Sequence, residues 1–130
     1  YSKKHYKENK EKISKRHLDY ANTRYKLDEG FRNRKQLGSA LSAVIRVYIK
    51  TGKIRNPMRR FNIDWEGIVK QLSPIPKNRS DYEIDHIIPL FKFDLTDIEQ
   101  VHLAFAPENH RWMLIKDNRK RERKNKLCLF

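Results

Sequence analysis

Leu37, Leu41, Val44, Ile45, Tyr48 and Ile49 recur at i, i+4, i+7, i+8, i+11 and i+12, the spacing of one apolar helix face. Gly52 stands where that helix should stop. Before it, residues 3–26 carry Lys or Arg at nine positions and only a thin apolar stripe of Tyr6, Ile13, Tyr20 and Tyr25. The expectation there is a long polar helix, either a solvent-exposed arm or one ordered by a partner. After it, Asp64 is placed to cap a short helix with Trp65, Ile68 and Leu72 on one side, ended by Ser73-Pro74-Ile75-Pro76.

The period then changes. Tyr82-Glu83-Ile84 and Ile87-Ile88 read as strand on either side of Asp85-His86, and Arg111–Ile115 alternates around Trp112 and Leu114 as a second strand. Between them, Thr96 with Glu99 three residues on forms a capping box for a helix reaching Phe105, and Pro107 blocks its continuation. From Asp117, a basic stretch through Lys126 has helical propensity. The expected fold is α+β: a basic helical N-terminal region, residues 1–62, followed by a unit of strand, inserted helix, strand and helix, residues 63–130.

Charge sharpens this picture. The chain has 130 residues and a formal net charge of +14. Residues 1–60 carry a net +13, residues 61–115 a net −4, and residues 116–130 a net +5. Basic flanks suit a polyanion, and an acidic middle suits a cation. No apolar run approaches the ~20 residues of a membrane span, so no membrane role is expected, and a cytoplasmic location is, nucleoid-associated in a prokaryotic or phage setting. Cys128 is the single cysteine, which excludes an intrachain disulfide and any zinc site built on Cys pairs. Because the sequence starts at Tyr1 and not at Met, a fragment of a longer protein or a trimmed chain is expected.

Two groups of residues can carry chemistry. Asp85 and His86 are adjacent ionisable residues in an otherwise apolar strand, where burial without a partner costs several kcal/mol, roughly. Strand alternation sends them to opposite faces, so that one can hold a metal while the other meets a water. Asn109, after Pro107-Glu108, and Asn118, near the start of the last helix, form the second group. Each alone reads as a turn or cap residue, and an Asn amide oxygen is also a hard, neutral ligand suited to Mg²⁺. His102 reads as a core or surface residue.

Asp85-His86-Ile87-Ile88-Pro89, with Asn109 and then Asn118, resembles the signature of HNH endonucleases, whose fold is a ββα-metal unit. Residues 64–126 are similar to HNH proteins of phages and mobile elements, including the stretches Phe93-Asp94-Leu95-Thr96 and Ala106-Pro107-Glu108-Asn109-His110. The Asp-His string and the Asn-to-Asn spacing also resemble the HNH domain of RNA-guided CRISPR nucleases.

The resemblance implies a metal-dependent DNA endonuclease that nicks one strand. His86 is then the general base and Asn109 braces the loop presenting it. Asp85 and Asn118 hold the metal, Mg²⁺ with Mn²⁺ as a substitute. No zinc is expected, since the Cys pairs of many relatives are absent here. Arg119, Lys120, Arg121, Arg123 and Lys124, together with His110, Lys15 and Arg16, are the expected nucleic-acid contacts. The partner is DNA, duplex or a displaced strand, with RNA also open. The rival expectations are a domain of a larger, RNA-guided effector or parent chain, a homodimer, and a catalytically silent binding module.

Overall fold

The computed structural model describes residues 3–128, with side chains described as far as Arg121, Glu8 excepted. It is an α+β fold, mostly helical, with one two-stranded antiparallel sheet among the described residues. Helix α1 runs Lys3–Leu27 and α2 Glu29–Thr51, and the two are parted at Asp28. Asp28 starts α2 anew, its carboxylate accepting from the Phe31 N–H. Gly52 closes α2 at φ 73°, a left-handed conformation that glycine adopts without a Cβ clash, and its N–H returns to the Tyr48 carbonyl.

The core forms between α2 and the C-terminal half of the chain. Leu37, Leu41, Val44 and Ile45 pack with Ile63, Trp65, Ile68, Val69 and Leu72, and with Leu95, Val101, Ala104 and Phe105. This core is continuous across residues 62 and 63. Helix α1, by contrast, is mostly exposed and touches α2 near its last turn. There the Gln36 amide donates to the Tyr25 hydroxyl at 2.9 Å and the Arg24 guanidinium lies 4.5 Å from the Phe31 ring centre.

Helix α3, Trp65–Gln71, is capped by Asp64, which accepts from the Gly67 N–H. The two tryptophans fasten it at both ends: Trp65 donates its indole N–H to the Pro57 carbonyl, and Trp112 donates to the Leu72 carbonyl. Gly67 is where α3 presses on the turn Pro107–Asn109. A Cβ there would sit 2.7 Å from Pro107 Cγ and would also overlap the capping Asp64 carboxylate. Gly67→Ala should therefore destabilise the chain by about 1–3 kcal/mol through overpacking and a lost cap, read as a lower denaturant midpoint at unchanged m-value.

Strands β1, Tyr82–His86, and β2, His110–Leu114, pair in antiparallel register with Glu83 opposite Met113, Ile84 opposite Trp112, Asp85 opposite Arg111 and His86 opposite His110. Helix α4, Ile98–Ala104, lies between them in sequence, and α5, Ile115–Cys128, leaves β2 directly. Two expected boundaries are corrected. The Thr96 hydroxyl donates to Asp94, so it does not cap α4; Asp97 does, accepting from the Glu99 N–H. Ile87 and Ile88 do not extend β1, because the ladder gains one further bond and is then diverted. The Ile87 N–H still donates to the Asn109 carbonyl in register, but the Ile87 carbonyl accepts from Arg121, and both polar groups of Ile88 pair with the Asn109 side chain. No described helix is long and apolar enough to cross a membrane.

Candidate active site

The register divides the hairpin into two chemically distinct faces. Glu83 and Asp85 point to one, with Arg111 beside Asp85 across the ladder. Helix α5 closes this face. Asn118, in its first turn, and Arg121, one turn on, face the hairpin at i and i+3, while Arg119 and Lys120 between them are exposed.

Asp85 is buried, and its Oδ2 accepts from Arg111 Nε at 2.9 Å and from Arg121 Nη1 at 2.5 Å. The same Arg121 donates to the backbone carbonyls of His86 and Ile87. Asn118, also buried, donates its amide N–H to Glu83 Oε1 at 2.6 Å.

On the opposite face, His86 packs edge-on against His110, ring centres 4.8 Å apart, and against Phe105 at 5.4 Å. His86 Nε2 is enclosed with no hydrogen-bond partner, and Nδ1 is not enclosed in this way. Burial first, then the fields of His110, Arg34 and Arg121, lower the His86 pKa to about 3. That is far below the ordinary imidazole value of about 6.5. His110 is pushed down as well, chiefly by burial, against the opposing hydrogen bond of its Nδ1 with the Ala106 carbonyl.

Both rings are therefore neutral in the folded protein near pH 7, whereas an unfolded histidine takes a proton below about pH 6.5. Between pH 6.5 and about 3 the unfolded chain binds more protons, so stability falls on acidification. Going from pH 7 to pH 5, His86 alone should lower the unfolding free energy by about 2 kcal/mol. Denaturant titrations of the native chain and of His86→Ala check this: the variant should lose a large part of the acid limb.

Asn109 sits between the two faces. Its Oδ1 accepts from the Ile88 N–H at 2.7 Å, and its Nδ2 donates to the Ile88 carbonyl at 3.2 Å and the Ala104 carbonyl at 2.9 Å. One side chain thus pins the residues just past His86 onto the end of α4.

No protein-family model, curated protein or solved structure matches the chain.

Asp85, His86, Asn109 and Asn118 are gathered around one end of the hairpin and its helix. His110 is fully buried against His86 and Phe105, which removes it from contact with an external phosphate. Arg121 is turned inward to Asp85 and the strand end. Arg119 and Lys120 on α5 and Lys15 and Arg16 on α1 are exposed; the side chains of Arg123 and Lys124 lie outside the described residues. Glu83, Arg111 and Arg34 are site residues that sequence reasoning passed over. Glu83 had a signal, since it shares a strand face with Asp85 by period two.

A divalent cation fits this face by donor type. Glu83, Asp85 and Asn118 offer carboxylate and amide oxygens, the hard set that suits Mg²⁺. The two arginines share Oδ2 of Asp85, so Oδ1 lies outside that ion pair. The described residues hold no group of three or more His, Cys, Asp or Glu side chains placed to bind a metal.

Proposed function

We propose that the chain is a metal-dependent endonuclease of the HNH type, a ββα-metal unit that hydrolyses one phosphodiester bond of a DNA strand. The observation that carries this reading is the pinning of the His86 strand end by Asn109, beside a face where α5 reaches Glu83 through Asn118 and Asp85 through Arg121. A hydrolase of phosphodiesters needs a placed proton acceptor on one side and oxygen ligands for a cation on the other.

In this reading His86 accepts the proton of the attacking water at the ring nitrogen that is not enclosed. The imidazole is fully neutral at pH 7 and so always able to accept. The burial that lowers its pKa also makes it a weaker base, and the charge of an approaching phosphate acts in the opposite sense. Asn109 fixes the backbone beyond His86. Asp85 and Asn118 would hold Mg²⁺, or Mn²⁺ in its place, which stabilises charge on the phosphate and the leaving oxygen when bound. Arg111 and Arg121 hold the Asp85 carboxylate in position. The bond broken leaves a 5′-phosphate and a 3′-hydroxyl, as the HNH resemblance implies. One such site cuts one strand.

Conversion of supercoiled plasmid to open circles tests the reading. The expected result is nicking with Mg²⁺ or Mn²⁺ and none in EDTA. Plasmid binding without any nick in either metal would sink the enzyme reading in favour of a binding module. Nicking undiminished in EDTA would remove the cation from the mechanism.

A further inference from the structure

Arg34, Gly38, Ser42 and Arg46 succeed one another at i+4 along α2, a single row on the helix surface. They line a groove of about 580 Å³ together with Lys35, and Leu90 from the turn beyond His86 contributes to it as well. Arg34, Lys35, Ser42 and Arg46 are all exposed. From Arg34 to Arg46 the row spans about 18 Å at ~1.5 Å per residue. Cations stand at both ends and small side chains lie between them.

Gly38 has no role in internal packing. A Cβ there would have no atom within 4 Å, and its backbone is ordinary helix. A mid-helix glycine is unfavourable relative to any ordinary residue. What the missing side chain does achieve is a bare groove floor, on which an extended chain can lie against the helix backbone. The groove also leads toward the candidate site. Leu90 is four residues past His86, on the segment just after the Asn109 brace, and Arg34 is one of the charges acting on His86.

We propose that this face of α2 is the track for the nucleic-acid backbone, with Arg34 and Arg46 as phosphate contacts at its two ends and Gly38 and Ser42 as its floor. It makes α2, and not the long arm α1 or the exposed Arg119 and Lys120 of α5, the main positioning surface. The inference rests on the endonuclease reading for its substrate class, nucleic acid. The row is short and straight, so it fits a stretch of one strand.

Fluorescence anisotropy with labelled single-stranded and duplex oligonucleotides in EDTA tests it on the full chain without cleavage. Arg34→Gln with Arg46→Gln should weaken binding at least about tenfold and make the salt dependence shallower by roughly 1.4–1.8 in slope, the loss of two phosphate contacts. Gly38→Leu should weaken binding by about tenfold while its melting temperature stays equal or rises, since leucine is the better helix former. Lys53→Gln with Lys70→Gln is the charge-matched control outside the groove.

Affinity and salt slope no more altered in the arginine pair than in the control would overturn the track, as would a native chain that binds neither oligonucleotide. The two readings also fail separately. Binding that depends on Arg34 and Arg46 with no nicking in Mg²⁺ or Mn²⁺ keeps the track and removes the hydrolase. Nicking by the native chain with binding indifferent to all three groove positions does the reverse.

Discussion

His86→Ala should lower plasmid nicking by about 10²–10⁴-fold, the range expected when a placed general base is removed, with DNA affinity changed little. The expectation comes from position. His86 is on the face opposite Asp85 and Asn118, so its loss leaves the oxygen donors and the Asp85 ion pair untouched. Its enclosed Nε2 has no hydrogen-bond partner to lose, so the cost to folding is one of packing. The substitution leaves a cavity beside Phe105 and His110, at a cost of about 2–4 kcal/mol by analogy with other large-to-small core changes. Nicking is therefore compared per folded molecule, with circular dichroism at the assay temperature. A folded variant that binds DNA and nicks at the native rate would remove His86 from the chemistry.

The pH dependence of nicking reports whether substrate leaves the His86 pKa at its lowered value. A general base with a pKa pushed far down stays neutral throughout the accessible range, so its own titration should leave no acid limb between pH 6 and 8. A limb near pH 6.5 would mean that substrate has restored the ordinary imidazole value.

Particular residues show how much of the fold and site is legible in the sequence. The core face of α2, the Gly52 stop and the Asp64 cap come from local pattern, because each depends on residues within one or two turns. The start of α4 is misplaced by sequence since Thr96 and Asp97 are both good caps, and the choice falls to Asp94, which holds the Thr96 hydroxyl. The strand limit at His86 cannot be read locally, because what stops the ladder is a side chain 21 residues away, Asn109, acting on Ile88. The burial of His110 depends on register: alternation alone leaves its direction open, and the pairing with His86 decides it. The double ion pair at Asp85 joins β1, β2 and α5, and long-range electrostatics of this kind has no local signal in a sequence.

Asn109→Ala is the second large effect expected, and it should appear in stability and in rate together. The buried Asn109 side chain supplies three hydrogen bonds, two to the backbone of Ile88 and one to the Ala104 carbonyl. Ile88 is about half exposed, so water can replace the amide there. Ala104 is fully buried and cannot be compensated in that way. One orphaned buried carbonyl with a small cavity should cost about 2–3 kcal/mol. Activity should fall further than stability explains. Ile88 is two residues beyond His86, and once its N–H and carbonyl are released the strand end can shift by a fraction of an ångström, enough to misplace a proton acceptor. Below the melting temperature, kcat should drop by about tenfold or more with KM little changed, because the proposed backbone contacts on α2 are not involved. The pair of measurements decides what the brace is for. A destabilised variant with native kcat per folded molecule would make Asn109 a stabilising residue only, and a loss of kcat at full folding would make it the residue that positions His86.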